Sequence, residues 1–66
     1  MELTINGQMR SIPGAKTLID LVNHYGLNDK IIVIEHNLQI VPREKYGDTE
    51  LAPGDKIEIV HFVGGG

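Results

Sequence analysis

The sequence predicts an α+β domain in which one helix packs across one face of a mixed five-stranded sheet, in the order β-β-α-β-β-β. Short segments of alternating or continuous apolar residues are bounded by Asn-Gly and Pro-Gly pairs, which is typical of strands joined by tight turns. A single intervening stretch has helical spacing. At 66 residues the chain can build one modest core and has no room for a second domain.

The first two strands are predicted to form a hairpin. Glu2–Ile5 alternates polar and apolar residues, and the Asn6-Gly7 pair that follows favours a type I′ turn, in which both central residues have positive φ. A two-residue turn sets Arg10 of the return strand, Gln8–Ile12, opposite the apolar Leu3. Either the turn carries a bulge or Arg10 lies at an open sheet edge.

The helix is predicted from about Thr17 to Tyr25. Thr17 is a suitable N-cap residue, and Asp20 three positions later completes a weak form of the capping box. Gly26 supplies the left-handed residue that ends a helix. One face is apolar at positions i, i+3, i+4 and i+7, which are Leu18, Leu21, Val22 and Tyr25. This stripe is predicted to cover the sheet.

Three further strands are predicted after the helix, at Ile31–Ile34, Gln39–Val41 and Lys56–Val63. The first of them is apolar at successive positions, which favours an interior strand. Asn37 offers the turn to the second strand, and Pro42 ends that strand because it lacks a backbone donor. Residues 43–50 are predicted to be an irregular connection with about one turn of helix, and the Pro53-Gly54-Asp55 turn leads into the last strand.

The last strand is predicted to present apolar side chains on both faces. By parity, Ile57 and Ile59 point toward the helix, whereas Val60 and Phe62 emerge on the opposite face, where a one-helix sheet has no second layer. A bulge that tucks Phe62 over the core edge is the alternative. Otherwise Val60, Phe62 and the adjacent Val63 form a docking patch for a partner protein.

The residue types needed for catalysis or metal binding are absent or dispersed. The chain has no cysteine, and His24, His36 and His61 lie in separate elements without ligand-like spacing to one another or to a carboxylate. Ser11 is the only serine and has no base beside it in sequence. A domain this small has little interior for a pocket of about 300 Å³. We therefore expect no catalytic residue, no metal site and no bound cofactor.

The charge balance and the absence of cysteine limit which classes of partner and which cellular compartment we expect. A net charge of −3 with both signs interspersed argues against binding to nucleic acid or to an anionic membrane. Met1 leads directly into alternating residues, and no apolar run approaches the roughly 20 residues of a membrane span. We expect a soluble protein, and a cytoplasmic location fits a chain that uses no disulfide.

The last three residues are Gly64, Gly65 and Gly66, directly after the last predicted strand. A frayed chain end is the simple interpretation. Three extended glycines also reach about 10 Å and can thread a narrow enzyme channel, since they carry no side chains. The carboxylate of Gly66 is a poor electrophile and would need activation, for example as an acyl-adenylate made from ATP in a partner enzyme. Residues 1–63 are thus the predicted domain, and residues 64–66 a flexible tail that delivers a reactive group.

The order of elements and the Gly65-Gly66 ending resemble the ubiquitin-like β-grasp fold. Two segments, Asn37–Arg43 and Pro53–Val60, together with the Phe62–Gly66 ending, resemble the ThiS sulfur carriers of thiamine biosynthesis over essentially the whole chain. A double-glycine ending is shared with molybdopterin-synthase carriers and with protein modifiers. The Ile-Val-Pro-Arg segment and the short length are what favour ThiS.

The resemblance implies a carrier rather than an enzyme. An adenylating enzyme of the ubiquitin-activating type, using ATP and Mg, would attach AMP to the Gly66 carboxylate, and a persulfide sulfur donor would displace the AMP. The resulting thiocarboxylate would deliver sulfur to thiazole synthase. Gly64 and Gly65 would give passage through the partner's channel.

Two alternatives stay open at the level of sequence. One is a sister carrier for molybdopterin or another sulfurated metabolite, and the other is a ubiquitin-like modifier or interaction module. Arg43 matches the family pattern, but the sequence suggests only an exposed pairing with Glu44 or Asp48, which would contribute little.

Overall fold

The computed structural model describes residues 1–62, and the predicted order of strands and helix is confirmed. The predicted residues Val63, Gly64, Gly65 and Gly66 lie outside the described residues. The elements are β1 (Glu2–Ile5), β2 (Gln8–Ser11), α1 (Leu18–His24), β3 (Ile31–His36), β4 (Gln39–Val41), a 3₁₀ helix (Arg43–Asp48) and β5 (Lys56–Phe62).

The five strands form one mixed sheet in the order β2-β1-β5-β3-β4. β1 and β5 run parallel, and the other neighbouring pairs are antiparallel. The last strand of the chain therefore lies at the centre of the sheet. This placement leaves β2 and β4 as the two edges.

The first hairpin has no bulge, so the second of the two predicted alternatives is correct. Leu3 pairs with Arg10 and Ile5 pairs with Gln8, which leaves only Asn6 and Gly7 in the turn. Both turn residues have positive φ, as a type I′ turn requires. Every residue of β2 is exposed, and Arg10 accordingly lies on the open edge.

The helix is capped as predicted at both ends. Asp20 Oδ2 accepts hydrogen bonds from the backbone N–H groups of Lys16 at 2.7 Å and Thr17 at 3.0 Å, which lower the pKa of the Asp20 carboxyl. At the other end, Gly26 has a φ of 66° and donates to the carbonyl of Asn23, while the N–H of Leu27 donates to the carbonyl of Val22. These two bonds form a Schellman motif.

The predicted apolar stripe is wrong at its last position, because Tyr25 is 40% exposed. The helix ends at His24, and its C-cap residue Tyr25 still donates its N–H to the Leu21 carbonyl at 3.0 Å but lies past the last buried residue of α1. Leu27 follows the Schellman turn and packs against the core instead. The ring of Tyr25 makes an edge contact with His24 at a centroid distance of 4.9 Å.

The core lies between α1 and one face of the sheet, and the 3₁₀ helix closes it. The connection at residues 43–50 was predicted to be largely irregular, but it places the Tyr46 ring in the core at 2% exposure. Burial raises the pKa of the Tyr46 phenol. The other buried apolar residues are Leu3, Ile5, Ile12, Ala15, Leu18, Leu21, Val22, Ile32, Ile34, Leu51 and Ile57. No helix within residues 1–62 is long and apolar enough to cross a membrane.

Candidate functional site

Val60 and Phe62 emerge on the face of the sheet opposite α1, as predicted. Each is 53% exposed. The ladder between β3 and β5 runs without interruption, with Val33 opposite Val60 and Ile31 opposite Phe62. A bulge that would tuck Phe62 over the core edge is therefore absent from this ladder, whereas Ile57 is buried on the helix side.

Neighbouring strands extend this exposed surface beyond the two residues that the sequence indicated. Ile31 on β3 and Ile40 on β4 are each 69% exposed. Directly opposed residues share a face, and Ile40 pairs with Glu35, which lies on the same side of β3 as Ile31. We refer to Ile31, Val33, Ile40, Val60 and Phe62 as the apolar face. The period-2 rule applied to Ile31–Ile34 could have found Ile31, but the position of β4 required the structure.

Asn6 fixes β5 just before its exposed end. The Asn6 side chain accepts a hydrogen bond from the N–H of Ile59 at 2.7 Å and donates to the Ile59 carbonyl at 3.3 Å. Its backbone N–H donates to the carbonyl of Ile57 at 2.9 Å. The side-chain amide thus takes the place of the next residue of β1, which the turn has removed from the ladder.

Asn37 fixes the opposite end of the same strand. Its Oδ1 accepts a hydrogen bond from the N–H of Lys56 at 2.9 Å, and its own N–H donates to the Lys56 carbonyl at 2.8 Å. Like Asn6, it sits in a two-residue turn at positive φ. Sequence reasoning identified both asparagines as turn residues and missed their contacts with β5.

The side chains of His36 and Asp55 are hydrogen-bonded to each other beside Asn37. The His36 Nε2 lies 2.7 Å from Asp55 Oδ2, and Asp55 also accepts hydrogen bonds from the Ala52 N–H and the Asn37 amide. Burial alone pushes the pKa of Asp55 upward, but the hydrogen bonds from His36, Ala52 and Asn37 outweigh it and leave the pKa below its ordinary value. These contacts brace the start of β5.

Arg43 anchors the loop that leads into β3. Its guanidinium donates to the Lys30 carbonyl at 2.9 Å and to the Asn28 carbonyl. The predicted pairing with Glu44 or Asp48 is therefore wrong. The guanidinium carries five N–H donors in one planar group, so a single side chain reaches both carbonyl oxygens of the loop.

Within residues 1–62, no three His, Asp or Glu side chains lie close enough together to hold a metal ion. His24 and His61 are exposed at the end of α1 and on β5, and His36 is engaged with Asp55. Within residues 1–62, the three histidines thus lie in separate elements.

The sequence did not predict a concave feature on the helix side of the sheet. A groove of about 330 Å³ lies on the helix side of the sheet, past the end of α1. Its lining includes the apolar Ile5, Leu27 and Ile59 and the polar Gln8, Arg10 and His61. These residues include no serine, cysteine or carboxylate, so they do not form a nucleophile-base arrangement.

Comparison with known proteins identifies the family. Residues 3–66 match the ThiS family model. The chain is 50% identical over 50 residues to the sulfur carrier protein ThiS of Bacillus subtilis, across 76% of each protein. It is 39% identical over all 66 residues to part of a thiazole synthase of Paramagnetospirillum magneticum, of which it spans only 20%.

A solved structure supports the same assignment. The crystal structure of the thiamine biosynthesis protein ThiS from Geobacter metallireducens superposes with a TM-score of 0.81 at 29% identity and covers 100% of both chains. The predicted β-grasp fold is confirmed by this match, and the family match confirms the prediction of a carrier rather than an enzyme. The chain belongs to the ThiS family of sulfur carrier proteins of thiamine biosynthesis.

Proposed function

We propose that this chain carries sulfur as a thiocarboxylate on Gly66 and donates it for the synthesis of the thiazole ring of thiamine. Membership of the ThiS family supports the carrier role. The thiazole synthases that match this chain support the identity of the acceptor, because a segment like this chain and a thiazole synthase occur there in one polypeptide.

The observation that carries the proposal is the apolar face at the end of β5. Val60 and Phe62 are exposed immediately before the last four residues of the sequence. A partner that buries this face gains hydrophobic free energy right beside the residues on which the chemistry depends. Val63 continues the docking segment, and Gly64 and Gly65 pass through the partner's channel because they lack side chains.

The chemistry takes place on one acyl group. An adenylating enzyme of the ubiquitin-activating type, which binds ATP and Mg, joins the Gly66 carboxylate to AMP and releases pyrophosphate. The terminal sulfur of a persulfide donor attacks the acyl carbon, and AMP leaves. The product is an acyl disulfide between Gly66 and the donor. A thiol then attacks the sulfur that is attached to the donor and breaks the S–S bond. The donor and the thiol are left joined by a disulfide, and Gly66 keeps the transferred sulfur as a thiocarboxylate.

In this proposal the chain itself binds no cofactor and supplies no catalytic residue. Its domain, residues 1–63, provides recognition, and residues 64–66 provide the reactive end. The partners are the adenylating enzyme, the persulfide donor and thiazole synthase, which we place with this chain in the cytoplasm. The chemistry requires a free α-carboxyl group on Gly66.

Intact mass spectrometry tests the proposal. The chain is co-expressed with its adenylating enzyme and a sulfur source, and we expect a mass increase of one oxygen-to-sulfur exchange, localised to Gly66 by fragmentation. Deletion of Gly65 and Gly66 abolishes the increase and leaves the melting temperature unchanged. An unmodified carboxylate, or isopeptide-linked conjugates in its place, would contradict the carrier mechanism.

The acceptor is tested separately by reconstituting thiazole formation. The thiocarboxylate form is mixed with thiazole synthase and its small-molecule substrates, and the product is followed by chromatography. We expect thiazole only with the thiocarboxylate form. Transfer to a molybdopterin precursor but not to the thiazole would assign the chain to the sister pathway.

A further inference from the structure

β5 has a free backbone edge beside the groove on the helix side. β1 ends at Ile5 and the chain turns away at Asn6-Gly7, whereas β5 continues to Phe62. The last part of β5 therefore extends past its parallel neighbour. On its other side it stays paired with β3 as far as Ile31.

The hydrogen bonds show which backbone groups face this free edge. The Ile57 carbonyl and both backbone groups of Ile59 point toward β1, where Asn6 binds them. The Lys56 carbonyl points the other way, toward Asn37. Since backbone groups alternate along a strand, the N–H and the carbonyl of His61 face the β1 side. Among residues 1–62, no group hydrogen-bonds to them there.

The groove next to this edge has the lining that an added strand needs. Ile5, Leu27 and Ile59 form an apolar floor, and the exposed side chains of Arg10 and His61 stand at the rim. The Arg10 guanidinium donates to the side chain of Gln8, which holds it on the groove side of β2.

The charge of the groove differs from that of the chain as a whole. No carboxylate lines it, and Arg10 contributes a permanent positive charge, whereas the chain carries a net charge of −3. The groove therefore favours an acidic occupant.

We propose that this groove binds an extended acidic segment of a partner protein, which pairs with the backbone of His61 as an additional strand and places a carboxylate against Arg10. Strand addition to a free sheet edge gains affinity from main-chain hydrogen bonds and specificity from side-chain contacts. The added strand would lie in the plane of the sheet, and its helix-side side chains would enter the groove, because parity places Ile59 and His61 on that side and Val60 and Phe62 on the apolar face. This inference goes beyond the carrier function, since it does not depend on any chemistry at Gly66.

Three synthetic peptides test the proposal in the intact chain. The first alternates valine and glutamate, the second replaces each glutamate by lysine, and the third is the acidic peptide with N-methylated amides on the pairing edge. We expect the acidic peptide to shift the backbone amide resonances of Ile59, His61 and Arg10 saturably and to slow hydrogen exchange at His61. The basic peptide binds about fivefold more weakly or worse, and N-methylation abolishes binding.

A charge reversal provides the matched variant. We expect Arg10→Glu to weaken the acidic peptide by about tenfold and to strengthen the basic one, since it replaces attraction by repulsion. Lys45→Glu makes the same charge change at an exposed site on the 3₁₀ helix and leaves both affinities within about twofold. Arg10→Gln is the second variant if Arg10→Glu perturbs the fold.

Several results would overturn the proposal. Equal affinity for the acidic and basic peptides would show that Arg10 does not select an acidic segment. Resonance shifts confined to Val33 and Val60 would place the peptide on the apolar face. Absence of saturable binding would exclude strand addition. Shifts of His61 that depend on protein concentration without peptide would identify a second copy of the chain as the occupant.

Discussion

The side-chain amide of Asn6 hydrogen-bonds to both backbone groups of Ile59, at 2.7 Å to the N–H and 3.3 Å to the carbonyl. The two residues are 53 positions apart in the sequence. By this contact a turn residue extends the parallel ladder by one position and sets the point at which β5 becomes free. At the start of the strand, Asn37 extends the antiparallel ladder with β3 through one side-chain and one backbone hydrogen bond to Lys56, so two turn asparagines hold the central strand.

The Asn6 contact predicts a specific loss of stability. Asn6→Gly tolerates the positive φ but removes both side-chain hydrogen bonds, so we expect the free energy of unfolding to fall by about 1 kcal/mol. Urea denaturation measures this loss, and hydrogen exchange at the Ile59 amide should accelerate. The substitution leaves Gly7 and the turn conformation unchanged, so exchange at Ile59 reports only the loss of the Asn6 side chain. An unchanged exchange rate at Ile59 would show that the contact contributes nothing to stability.

A substitution on the apolar face is predicted to weaken partner recognition without lowering the stability of the domain. Under the proposed function, Phe62→Ser should raise the KM of the adenylating enzyme for the chain by about tenfold or more, because it removes aromatic area that the proposed partner would bury. The melting temperature should change little, since Phe62 is outside the core.

The control for the face is Leu38→Asn. Leu38 is 76% exposed but lies in the turn between β3 and β4, at the other end of β3 from Ile31, and its positive φ suits asparagine. An equal rise in KM for both variants would show that exposed apolar area in general, rather than this face, controls recognition.

The lowered pKa of Asp55 predicts how stability depends on pH. A carboxyl whose pKa is lower in the folded state binds fewer protons than in the unfolded state, so its contribution is fully present above its ordinary value of 3.8. That contribution is lost as the pH falls through the folded-state pKa. We expect Asp55→Asn to cost about 1 kcal/mol at pH 7 and to flatten this acid limb of the stability profile.

Urea denaturation from pH 7 to pH 2 measures the profile. Asp29→Asn removes one negative charge at an exposed position and controls for net charge. If the two variants lose the same stability at pH 7, the contacts with His36, Ala52 and Asn37 have no net effect.

The Arg43 anchor predicts that lysine cannot replace arginine. A lysine ammonium lacks the planar fork that reaches the carbonyls of Asn28 and Lys30 together, so Arg43→Lys should lose about 1 kcal/mol despite keeping the charge. Hydrogen exchange in the loop before β3 should accelerate. Lys45→Ala on the same 3₁₀ helix is the control. If Arg43→Lys keeps full stability, the positive charge is sufficient and the two hydrogen bonds of the guanidinium are not needed.

The sequence predicted the features that depend on neighbouring residues. The Asn6-Gly7 turn, the Thr17 and Gly26 caps and the alternation along β5 each follow from the conformational preferences of a few adjacent residues. Prediction was wrong at Tyr25 because the stripe rule assumes that the helix continues, whereas the Schellman turn ends it at His24.

By itself, the sequence determined the set of elements and the parity that sets Val60 and Phe62 opposite the helix, and its resemblance to the ThiS family indicated a carrier. Only the tertiary structure decided that β5 lies at the centre of the sheet, that Ile31 and Ile40 join the apolar face, and that the groove opens beside His61. Strand order brings together residues far apart along the chain. Contacts such as Asn6 with Ile59 therefore depend on the path of the whole backbone and leave no local pattern in the sequence.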